Sequence, residues 1–104
     1  MGVKRILQDA DYARQRTANV RWVLAHQQDL WDNYPNRWIF VDGEKLQMVG
    51  VEFFPTFQTI HQRQVITPSS IIYYSAKYDV PIMLTWMDIS KLIKMDARKE
   101  ELDS

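Results

Sequence analysis

The chain contains no cysteine. That excludes disulfides, thiol nucleophiles and cysteine-held zinc or iron–sulfur sites, and it fits a reducing compartment. Glycine occurs only at Gly2, Gly43 and Gly50. No glycine-rich loop can be assembled from these, which excludes the phosphate cradles of dinucleotide-binding and P-loop proteins. Net charge is also absent, with 13 basic side chains against 13 acidic, whereas readers of duplex DNA usually carry a basic excess. No apolar run is long enough to span a bilayer. The first residues hold no long apolar stretch of the kind a signal peptide needs. A cytoplasmic protein with no membrane association is expected.

What remains is ordinary in bulk and unusual in its rings. The 104 residues are 46% hydrophobic and 25% charged, enough for one domain with a single core and no staples. Four Trp, five Tyr and four Phe are too many to be solvated singly, so they fill a core or form a patch for a partner. Charge is mildly segregated. Residues 1–21 carry five basic and two acidic side chains, a net +3, and the remainder carries eight against eleven, a net −3.

One stretch fixes the architecture. Tyr34-Pro35-Asn36 stops a helix, Arg37 to Val41 is a strand of aromatic and β-branched residues, and Asp42-Gly43 supplies the positive φ of a hairpin turn. Leu46 to Phe54 returns as the second strand, with Gly50 marking a bulge or a close backbone approach. Before it, Val20, Val23, Leu24, Leu30, Trp31 and Tyr34 recur at helical spacing, which predicts one long helix over Asp11 to Asn33 with Asp9 or Asp11 as its N-cap. After it, Thr59, His61, Arg63 and Val65 alternate with apolar residues, so Gln58 to Ile66 reads as an edge strand. Thr67-Pro68-Ser69-Ser70 reads as a helix start, giving a short helix over Ile71 to Tyr78. Val80 to Trp86 reads as a buried central strand entered at Pro81. Asp88 or Ser90 caps a last helix through Ile89, Leu92 and Ile93. Residues 1–10 and 96–104 are expected to fray. The fold class is therefore α+β, a small mixed sheet of three to four strands with helices packed mainly on one face, in the order α-β-β-(β)-α-β-α.

Tyr34-Pro35-x-x-Trp38, Val41-Asp42-Gly43, Val49-x-Val51, a helix, and Val80-Pro81 entering a strand together resemble a small prokaryotic α+β domain family of unknown function. The resemblance covers residues 20–86. It departs at Asn36, where that family prefers glycine, and in the segment Glu52 to Val65. It implies a fold and carries no chemistry. The element order is also similar to the αβββαβ core of PD-(D/E)xK nucleases, whose two carboxylates hold Mg²⁺ while a lysine orients water. Asn36 stands where that pattern has aspartate, and Glu52-Phe53-Phe54 where it has Glu-x-Lys. Asn36 is neutral and Phe54 cannot orient water, so this resemblance implies a degenerate, inactive core, with Asp42 as the substitute carboxylate.

No other constellation carries chemistry. His26 and His61 stand on different elements without a carboxylate at ligand spacing. Ser69 and Ser70 lack a nucleophile-elbow context, and Asp42-Gly43-Glu44-Lys45 reads as a solvated turn. Arg14 and Arg21 lie seven apart on one helical face beside Trp22, a combination suited to a protein partner or to phosphates and bases. Phe54, Tyr73 and, on the expected edge, Arg63 complete the candidate contact residues. The reading is a non-catalytic module without metal or cofactor, of prokaryotic or phage type. It binds a protein partner or larger assembly, with homodimerisation possible through edge pairing or aromatic packing. The alternative is a nucleic-acid-binding or processing protein.

Overall fold

A computed structural model describes the backbone of residues 9–103 and the side chains of residues 9–96. Helices α1 (Asp9–Ala25) and α2 (Gln27–Asn33) lead into a hairpin of β1 (Trp38–Asp42) and β2 (Lys45–Gly50). Helix α3 (Phe53–Gln62), strands β3 (Ile71–Tyr74) and β4 (Ile82–Leu84) and helix α4 (Trp86–Asp103) follow. The class is α+β, and the four strands lie in the order β2-β1-β3-β4.

The hairpin forms as the local sequence dictates. Asp42 pairs with Lys45 across a turn whose central residues, Gly43 and Glu44, both have positive φ, +62° and +56°, as a type I′ turn requires. The register slips between Phe40 and Val41, where Gln47 is the extra residue of β2. The bulge therefore lies at Gln47 rather than at Gly50. Gly50 is a close approach instead, since a Cβ there would sit 1.7 Å from Thr56 Oγ1. Asn36 has φ +56°, a conformation asparagine tolerates almost as glycine does.

Alternation along the central strands builds two cores. Ile39, Val41, Ile71 and Tyr73 face α1 and α2, meeting Val23 and Leu30. Phe40 and Ile72 face the other way and meet Phe57, Ile60 and Ile89 of α3 and α4. Each fully buried aliphatic side chain contributes about 1.5–3 kcal/mol. Helices thus cover both faces of the sheet, not mainly one, because β1 and β3 are apolar on both sides. All three strand pairings are antiparallel, so the sheet is not mixed.

Four further expectations are corrected. The single long helix is broken at His26, where φ is −111° and ψ is 10°. The stretch Gln58 to Ile66 is not an edge strand; α3 runs from Phe53 to Gln62, because Phe53, Phe57 and Ile60 recur at helical spacing, and Pro55 is tolerated in the first turn, whose N–H groups need no intrahelical partner. Ile71 to Tyr74 is a strand, as its β-branched and aromatic composition favours. The Thr67–Ser70 hydroxyls that suggested a helix cap are spent on Asp42. Finally, β4 is an edge strand and not a central one, which suits Pro81 immediately before it. The expected frayed start falls mainly on residues 1–8, outside the described residues, while the backbone of α4 is helical to Asp103.

Candidate functional site

Helix α1, the hairpin turn and the loop before β3 meet at the Asp42 end of the sheet. Asp42 Oδ1 accepts from Asn19 Nδ2 at 3.1 Å, from the Gly43 N–H at 2.9 Å and from Ser69 Oγ at 3.0 Å. Its Oδ2 accepts from Thr67 Oγ1 at 3.0 Å and Ser70 Oγ at 3.1 Å. Asn19 is 0% exposed. It also donates to the Ser69 carbonyl at 2.8 Å, and its own oxygen accepts the Glu44 N–H at 2.8 Å. Arg16 Nε donates to the Pro68 carbonyl at 2.9 Å. One carboxylate and one amide therefore tie α1, the hairpin turn and the loop before β3 together. The inward hydroxyls are consumed by this arrangement, so none is left as an activated nucleophile, and no imidazole stands beside them as a base.

Beside the cluster opens a cleft of about 510 Å³. Tyr12 and Gln15 of α1 form one wall, Gln47 and Met48 of β2 another, and Arg63 and Val65 after α3 a third, over Phe40. The chain turns into this wall at Gln64, whose φ is +56°. No protein-family model matches the chain, and searches of curated proteins and of solved structures return no match either.

The expected contact residues are scattered. Arg14 and Arg21 do share one helical face, lining a shallow depression with Ala13, Thr17 and Ala18, but Arg14 is paired with Asp11. Trp22 is not beside them as an open stacking platform. It is half-buried, stacked on His26 with ring centroids 4.3 Å apart, and packs against the α1/α2 core. Tyr73 is 1% exposed and cannot touch a partner; its hydroxyl accepts from Gln27 Nε2 at 3.2 Å and Trp31 Nε1 at 3.1 Å. Phe54 is 67% exposed and lines a groove of about 250 Å³ with Leu92 and Met95. Arg63 lies in the cleft wall instead of on a sheet edge.

The carboxylates of the nuclease-like pattern are not brought together. Glu52 follows Gly50, which pairs with Trp38, whereas Asp42 ends the same strand, roughly 13 Å away at about 3.3 Å per residue. Among the described residues, no group of three or more His, Asp or Glu side chains is placed to hold a metal ion. His26 Nδ1 lies 2.7 Å from the Trp22 carbonyl, and His61 Nδ1 lies 2.8 Å from Asp96 Oδ2, bridging α3 and α4.

The two sheet edges differ in kind. The β2 edge carries the Gln47 bulge and exposed Lys45 and Gln47, the devices that blunt an edge against pairing. The β4 edge is flanked by exposed apolar side chains, Tyr78 at 85%, Val80 at 75%, Ile82 at 44% and Met87 at 71%. No described helix is long and apolar enough to cross a membrane, so these side chains are not part of a helical span.

Sequence reasoning missed Asn19 and Thr67. Asn19, Val23 and Leu30 follow one helical stripe at spacings of four and seven, and a polar residue on a buried stripe signals a buried hydrogen-bond partner. That signal was legible; the partner was not.

Proposed function

We propose that this domain is a non-catalytic interaction module that binds a protein partner through the β4 edge. The observation that carries the reading is the contrast between the edges. Strand β2 is bulged and polar, while β4, three residues long, is unpaired on its outer side and flanked in sequence by the exposed Tyr78, Val80 and Met87, with Ile82 exposed on it. Unpaired strand N–H and C=O groups beside exposed apolar side chains form a template for strand addition, with main-chain bonds giving affinity and side chains giving selectivity. Saturation of Asp42 by five donors supports a structural role for the polar cluster. Phe54 and Met95, exposed in the α3/α4 groove, form a second apolar surface.

The test is affinity capture from native lysate with wild-type protein and with Ile82→Lys, each with and without nuclease treatment. The expected result is a protein recovered by the wild type, retained after nuclease, and lost with Ile82→Lys. Light scattering of the purified chain shows whether that partner is a second copy. A recovered set unchanged by Ile82→Lys overturns the edge as the site. Loss on nuclease treatment and on Arg14→Gln/Arg21→Gln puts nucleic-acid binding in its place.

A further inference from the structure

The cleft beside Asp42 is defined by which of its polar atoms are already committed. Asp42 is filled: five donors occupy its two oxygens, and among the described residues it forms no ion pair with Arg63. Gln15 commits its amide nitrogen to Asn19 Oδ1 at 3.3 Å, and Gln47 commits its own to the Asp42 carbonyl at 2.8 Å. Both side-chain nitrogens point into the protein framework, and both Oε1 atoms accept no hydrogen bond among the described residues. The Arg63 guanidinium and the Tyr12 hydroxyl likewise have no partner among the described residues. Phe40, almost completely buried, Met48 and Val65 supply apolar surface.

The uncommitted set is thus one planar cation, two amide oxygens and a hydroxyl over an apolar floor, in a volume of about 510 Å³ that falls within the ordinary range of small-molecule sites. We propose that this cleft binds a small molecule bearing one anionic group, a carboxylate or a phosphate, on a flat body with an N–H donor. The guanidinium fork takes the anion, since planar bidentate recognition of carboxylate and phosphate is what arginine offers over lysine. The Gln15 and Gln47 oxygens take the N–H, and the flat body lies on Met48 and Val65. Arg63 also follows the C-terminus of α3, where any cation complements the helix dipole; lysine would serve that role equally and would not reproduce the fork.

The test is titration of the full chain with para-aminobenzoate and with adenosine monophosphate, followed by amide nitrogen–proton correlation spectra. Aniline and adenosine serve as uncharged counterparts. The expected result is saturable shifts at Gly43, Gln47, Thr67 and Ser69 with at least one anionic probe, and much weaker shifts with its counterpart. The responding probe identifies carboxylate or phosphate as the preferred group. Both Arg63→Gln and Arg63→Lys weaken binding, Arg63→Gln by about tenfold, the loss of a charge-assisted pair, with the thermal midpoint of Arg63→Lys unchanged. The proposal is overturned if neither anionic probe gives saturable shifts, if Arg63→Gln binds as the wild type does, or if the shifts map to the Arg14–Arg21 face. None of these outcomes bears on the β4 edge, which lies across the sheet.

Discussion

Asn19 and Asp42 fasten the first helix to the end of the central hairpin: the Asn19 amide nitrogen donates to Asp42 Oδ1 at 3.1 Å, while the Asn19 oxygen accepts the N–H of Glu44 at 2.8 Å. The second bond helps hold Glu44 at a φ of +56°, which a residue with a Cβ adopts at a cost. Truncating Asn19 to alanine leaves the buried Ser69 carbonyl without its partner, and leaves the Glu44 N–H, on an exposed turn residue, to water. The expected loss is about 1–3 kcal/mol, the cost of one buried group left without a partner, read by urea unfolding. A loss below about 0.5 kcal/mol, the usual surface value, shows that water replaces the amide and that the cluster does not hold α1.

Two glycines separate conformational from steric demand. Gly43 has φ +62° with nothing within 4 Å of an added Cβ, so Gly43→Ala costs about 1 kcal/mol from backbone strain alone, and asparagine there costs less. At Gly50 the added Cβ meets Thr56 Oγ1 at 1.7 Å and Thr56 Cβ at 2.7 Å. Gly50→Ala therefore costs about 1–3 kcal/mol or more through overpacking between β2 and α3. Adding Thr56→Ala restores only part of the loss, because the Cβ contact remains. Full restoration in the double variant counts against this geometry.

Tyr73 divides a structural from a contact role. Tyr73→Phe removes the acceptor shared by Gln27 and Trp31 and is expected to cost about 1–2 kcal/mol with no change in partner capture. A loss of capture at unchanged stability places Tyr73 in the interface after all.

The α3 phenylalanines test the helix that replaces the expected strand. Phe57 is buried and Phe54 exposed. Phe57→Ala is expected to cost about 3–5 kcal/mol, and Phe54→Ser to stay within about 0.5 kcal/mol, both from denaturant midpoints. Similar losses at the two positions contradict a helix that turns Phe57 inward and Phe54 outward.

The hairpin was legible because its cause is local. Asp42-Gly43 demands a turn, Pro35 closes a helix, and Trp38 to Val41 has the composition of a strand. The segment from Glu52 to Trp86 was misread where two local rules compete. Thr67-Pro68-Ser69-Ser70 satisfies the rule for a helix start, and Ile71-Ile72-Tyr73-Tyr74 satisfies the rule for a strand. Alternation of Thr59, His61, Arg63 and Val65 likewise competes with the helical spacing of Phe53, Phe57 and Ile60. Of the candidate contacts, Phe54 is on the surface, Arg63 is in a cleft, and of the Tyr73–Tyr74 pair it is Tyr73 that is buried, because its parity places it with Ile71 on the α1/α2 face.

The sequence by itself determined the α+β class and the hairpin with its turn, since propensity and alternation act within a few residues. The tertiary structure alone decided that the Thr67–Ser70 hydroxyls serve a carboxylate 25 to 28 residues away rather than capping a helix, and thereby that Ile71 begins a strand. It also decided which strand lies at the edge and where Arg63 points. These outcomes depend on contacts between distant segments, whose free energy exceeds the few tenths of a kcal/mol per residue, or about that, by which local preferences differ.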